Sequence, residues 1–287
     1  MKVTQLIVGL VSLAAVLSMS TPGRTQTVFP PELKNSQISI VYEPTSGFLE
    51  AKAQLQQSEV LERLAKFLSP FKWPRPMTLR AKFCGDENLF FESRDSSEKP
   101  GTPEAENSAL VVCYEFFADL LAKASRHPGG FSGAEYAAGA LTSGILHEVG
   151  HAAFHHFEVP VLGREEDAAD QFASYLILQF RPELAVPTIT LQALISSTLG
   201  SDEFLLDEHG TPSQRFFNSL CIAYGADPAR FAAIADAGQL PPERRKNCGN
   251  EYRQIARAFN ETILPHIDPA MMKKVREVNW LPELFAP

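Results

Sequence analysis

Past residue 17 the chain has no apolar run of the roughly 20 residues needed to cross a bilayer, so it offers no membrane-spanning helix after its start. It also lacks basic character. Lys and Arg together number 26 against 34 Asp and Glu, a formal net charge of -8, which removes the electrostatic footprint expected of a nucleic-acid or anionic-membrane binder. Cysteine is sparse, and none of the 4 is in a CxxC spacing, which argues against a structural zinc cluster. None directly follows the first apolar run, as a lipid-anchored lipoprotein would require. No internal repeat is present. These absences leave a soluble, acidic protein with enough length for one sizeable core.

The first residues do carry an apolar run. Lys2 precedes Leu6 to Leu17, and Ser18-Met19-Ser20 offers small residues at a cleavage site. Residues 1–20 therefore read as a signal peptide, 21–35 as a mobile mature N-terminus and 36–287 as a single domain. The expected location is secreted or periplasmic, with no stable membrane insertion once the signal is removed. An even number of cysteines in an exported chain points to two disulfides. Of the three pairings possible, grouping along the chain favours Cys84 with Cys113 and Cys221 with Cys248.

Alternation of apolar and polar residues predicts strands at Ile38 to Tyr42 and Met77 to Phe83, with two more at Asn88 to Glu92 and Ala109 to Glu115. The charged, proline-containing segment Ser93 to Ser108 between the last two reads as an exposed loop. Helical spacing is found over Leu55 to Leu68, Phe116 to Ser125, Ala134 to Phe157 and Glu165 to Phe180, with shorter helices beyond. Strands early and helices late predict an α+β fold: a small N-terminal mixed sheet, then one long helix and a mainly helical C-terminal part.

That long helix contains His147-Glu148-Val149-Gly150-His151. Residues four apart share a helix face, so both imidazoles can converge on one metal ion, with Glu148 beside them as a general base for water. A zinc hydrolase needs a third protein ligand. Pro160 ends the helix, and a second helix opens at Glu165-Glu166-Asp167, where Glu166 and Asp170 face the same way. A third histidine six residues after His151 would mark a metzincin, but position 157 is Phe.

HExxH followed by a helix with ExxxD resembles the gluzincin class of zinc metallopeptidases. A closer resemblance is to a bacterial family of secreted metallopeptidases known mainly as a domain of unknown function. It rests on Val112-Cys113-Tyr114-Glu115, the HExxH helix, Pro160 to Glu166, Ala169-Asp170-Gln171, and Gln214 to Asn218 with Cys221. The resemblance implies a zincin-like fold, one Zn2+ per chain held by His147, His151 and Glu166, and Asp170 hydrogen-bonded to a ligand imidazole. Glu165 competes with Glu166 as the third ligand. Glu165 and Asp167 otherwise read as exposed acids favouring the helix N-terminus. His155 reads as a rim residue and His156 as a surface one. For the oxyanion donor, His209 leads, with Arg215 and Tyr252 behind it, and Ala109 to Tyr114 is the candidate edge strand for substrate. The substrate is expected to be a peptide or protein. A zinc amidohydrolase acting outside peptides and an inactive, peptide-binding zincin-like domain are the competing functions.

Overall fold

The computed structural model describes residues 35–93, 107–124, 133–198, 207–238 and 240–277. The expected signal peptide, nearly all of the predicted mobile N-terminus and most of the predicted charged loop after Glu92 lie outside the described residues. Within them the order is β1 (Ile38–Tyr42), α1 (Leu49–Gln57), α2 (Val60–Phe67), β2 (Met77–Lys82), β3 (Leu89–Glu92) and β4 (Ser108–Cys113). Helices follow: α3 (Tyr114–Ala124), α4 (Gly133–His156), α5 (Glu165–Phe180), α6 (Ala185–Thr198), α7 (Pro212–Ala226), α8 (Pro228–Ala237), α9 (Pro242–Thr262) and α10 (Pro269–Arg276). The fold is α+β, as the strand-then-helix pattern predicts.

The chain divides into two compact units. One contains Gly23–Lys123, His151–Pro160 and Glu261–Pro287, and holds a four-stranded sheet in the order β1-β2-β4-β3. The first three of these strands are parallel, and β3 runs antiparallel to β4. Parallel neighbours need a crossover, which α1 and α2 supply between β1 and β2. The predicted single helix over Leu55 to Leu68 is in fact two. Glu59 takes a left-handed backbone (φ 53) at the break, a conformation for which Glu carries no sequence signal.

The edge-strand assignment of Ala109 to Tyr114 is corrected by the sheet order. β4 lies between β2 and β3, every one of its residues is buried, and its main chain is paired on both sides. An unbroken apolar run such as Ala109-Leu110-Val111-Val112 suits an interior strand covered on both faces. The edges are β1 and β3. The segment predicted as strand through Glu115 turns helical at Tyr114. That turn puts the buried Glu115 carboxylate where it accepts the backbone N–H of Cys84 (3.0 Å) and of Gly85 (2.6 Å). The Cys84–Cys113 disulfide spans the same corner, joining the ends of paired strands as the grouping of cysteines suggests.

The other unit contains Ala124–Gly150 and Val161–Asn260, and is helical. Its core is built from α5, α7 and α8 through Phe172, Leu176, Phe216, Leu220 and Phe231, all buried. The second disulfide, Cys221–Cys248, ties α7 to α9. Beside it, a Cβ on Gly225 would fall 2.2 Å from the Cys248 carbonyl oxygen, so only glycine permits this approach. Helix α4 meets α5 at another such point. A Cβ on Gly150 would lie 3.2 Å from Ala169 Cα and 3.4 Å from Ala169 Cβ.

Candidate metal centre

Helix α4 presents His147 and His151 one turn apart, and the Gly150–Ala169 contact brings α5 alongside. The second helix is held by local chemistry. Its first turn carries Glu165, Glu166 and Asp167, acids that complement the helix N-terminus, and Asp167 pairs with Arg164 at 2.8 Å. The His147 and His151 imidazoles and the Glu166 carboxylate each offer one ligand atom, and these atoms lie within 4.8 Å of one another. Glu166, rather than the exposed Glu165, takes part in this group.

His147 is buried and bonded on both ring nitrogens. Nδ1 lies 2.9 Å from Asp170 Oδ1, and Nε2 lies 2.9 Å from Glu166 Oε2. Burial disfavours its charged form, but Asp170 and Glu166 outweigh that and push its pKa up to about 9. Burial likewise opposes ionisation of Asp170, yet bonds from His147 and Arg215 hold its carboxyl down at about 2. Asp170 is thus a fixed anion that accepts a hydrogen bond from Nδ1–H and leaves Nε2 directed at Glu166. Two imidazole nitrogens and one carboxylate oxygen, with a carboxylate behind one imidazole, form a donor set suited to zinc. Glu148 is buried next to His147 and contributes to raising its pKa.

His209 comes to the same place from the segment before α7. Asp207 Oδ1 accepts from its backbone N–H and also lies 2.8 Å from its Nδ1, while its Nε2 lies 2.8 Å from Glu166 Oε2. The Glu166 bond is the main cause of the raised His209 pKa. The two lower-ranked oxyanion candidates are engaged otherwise. Arg215 donates to both oxygens of Asp170, from Nε and Nη2 at 2.7 Å each, and the Tyr252 hydroxyl accepts from Gln179 Nε2 at 2.9 Å.

The surface reading of His156 is corrected. Its side chain is 3% exposed, edge-on to Trp73 (5.5 Å) and beside Phe91 (6.2 Å), and both ring nitrogens are buried without a hydrogen-bond partner. The last turn of α4 counts with the sheet-containing unit, so a polar residue there is enclosed by aromatic side chains. Burial first, then His155 and Arg75, push the His156 pKa down to about 4.

A model of the protein family described as "Putative metallopeptidase" matches residues 43–263, which include both histidine-bearing turns of α4, all of α5 and the start of α7. Comparison with curated proteins and with solved structures gave no match.

Proposed function

The chain belongs to that metallopeptidase family, and from this premise we propose that it is an exported zinc-dependent endopeptidase of the gluzincin type. The observation that carries the reading is the convergence of His147, His151 and Glu166 next to the buried Glu148 carboxylate, which the reading takes as the general base. When bound by these three side chains, zinc supplies Lewis-acid polarisation of the scissile carbonyl and acidifies the attacking water. Glu148 takes the proton from that water and passes it to the leaving amine. His209 serves as the oxyanion donor by turning Nε2 from Glu166 Oε2, its present partner, to the developing oxyanion, while Asp207 at Nδ1 holds the ring beside the site. Asp170 keeps the Nδ1 proton of His147 pointed away from the ligand side.

Export is supported by two disulfides, which suit an oxidising compartment. No described helix is long and apolar enough to cross a membrane. The proposed substrate is a peptide or protein chain.

Metal analysis combined with a peptide-library digest of wild type and Glu148→Gln tests the proposal. The expected result is about one zinc per chain in both proteins, with cleavage by wild type alone. Cleavage that survives Glu148→Gln would refute the mechanism, and absence of zinc from the wild type would refute the site.

A further inference from the structure

We propose that Arg215 is a positioning residue of the metal centre, acting on His147 through Asp170. The inference rests on the zinc reading above and extends it by one residue that touches neither metal nor substrate.

The guanidinium meets Asp170 as a fork on a fork. Nε donates to Oδ2 and Nη2 to Oδ1, both at 2.7 Å, and Oδ1 is also the atom 2.9 Å from His147 Nδ1. Two parallel bonds fix the plane of the carboxylate as well as its position, which a single point donor cannot do. With that plane fixed, the direction in which Oδ1 accepts from Nδ1 is fixed, and so is the rotation of the imidazole about its Cβ–Cγ bond. The ligand nitrogen Nε2 lies on the far side of the ring. A few degrees of ring rotation therefore shift its lone pair relative to the other two ligand atoms.

Arg215 reaches Asp170 because the start of α7 is defined on three counts. Thr211 and Gln214 form a reciprocal capping box, with Pro212 in the first turn, which places Arg215 at a set angle on the helix. Gly210 fits closely against the Arg164–Asp167 ion pair, where a Cβ would come within 3.3 Å of Asp167 Oδ1. The preceding residues deliver His209 to Glu166. One helix start thus serves the metal helix α5 at Glu166 and at Asp170. A plain helix-to-helix clamp would need only the charge and the reach of residue 215. Orientation of His147 needs the fork.

The test measures zinc affinity by competition against a chelator, together with the visible spectrum of the cobalt-substituted protein and the urea midpoint. It uses wild type, Arg215→Lys and Arg215→Met. Stoichiometric zinc binding by wild type is established first, and its failure would overturn the functional reading rather than this one. Given that binding, Arg215→Met should lose roughly 10- to 100-fold in zinc affinity, the range typical of outer partners of metal ligands. Arg215→Lys, which keeps the charge without the fork, should also lose affinity and show an altered cobalt spectrum, while the urea midpoint of the metal-free protein stays unchanged. In an Asp170→Ala background the Arg215→Met change should cost little more, because the two act in series. Wild-type zinc affinity in Arg215→Lys, or an equal loss from Arg215→Met with and without Asp170, would overturn the proposal. Should Arg215→Met fail to fold, the lysine variant alone decides.

Discussion

Acid should weaken this protein at His156 before it reaches most carboxylates. The imidazole is almost fully buried among Trp73, Phe91 and His155, with Arg75 near enough to repel a second positive charge. Its native pKa of about 4 lies below the ordinary 6.5, so as pH falls the unfolded chain takes up the proton first. Its neutral form costs nothing above pH 6.5, and stability is lost progressively between 6.5 and 4. At pH 4.5 the unfolded imidazole is almost wholly protonated and the native one only in part, a difference of roughly 2 to 3 kcal/mol. That is a large share of the roughly 5 to 15 kcal/mol by which domains are stable. Urea unfolding of wild type and His156→Phe, both with a chelator present so that metal loss does not contribute, isolates this residue. The stability gap between the two proteins should move by roughly 2 to 3 kcal/mol in favour of the phenylalanine variant on going from pH 7.5 to 4.5. Parallel pH profiles for the two proteins would refute the assignment.

Two other substitutions probe the metal helices and the disulfide corner. Glu166→Ala should lose more than about 100-fold in zinc affinity, beyond the usual cost of an outer partner, whereas Glu165→Ala should bind as wild type does. The opposite ranking in a chelator competition would move the third ligand to Glu165. Gly225→Ala forces a methyl group onto the Cys248 carbonyl at 2.2 Å while the Cys221–Cys248 bridge holds the two helices together. A loss of about 3 kcal/mol or more is expected in thermal or urea unfolding, at the upper end for overpacking, and an unchanged midpoint would show that the helices can part.

The parts of the site that share a stretch of chain are legible in the sequence. His147, Glu148 and His151 are spaced by helix geometry alone, and α5 begins and ends where its acidic first turn and apolar spacing predict, Glu165–Phe180. What escapes is pairing across the fold. Arg215 and Asp170 are 45 residues apart, and nothing in either local stretch shows that the guanidinium faces that carboxylate rather than an oxyanion. The capping-box signature Thr211-Pro-Ser-Gln214 was a usable clue to the phase of α7. The same limit explains His156, polar by type yet enclosed by aromatic residues distant in sequence, and β4, whose apolar run signals burial without naming its neighbours. The break at Glu59 had no clue at all, since no glycine or asparagine marks the left-handed turn.

The contact between Gly150 and Ala169 bears on the spacing of the candidate ligand group. The ligand atoms ride on two helices that meet backbone to side-chain stub, with no room left for one to sink closer and little for a larger residue between them. Zinc binds nitrogen and oxygen at about 2.0 to 2.2 Å. On the zinc reading proposed above, the spacing of the ligands on α4 and α5 follows from how closely this contact lets the two helices approach. Two uncharged residues outside the ligand group thereby set how near its two helices lie.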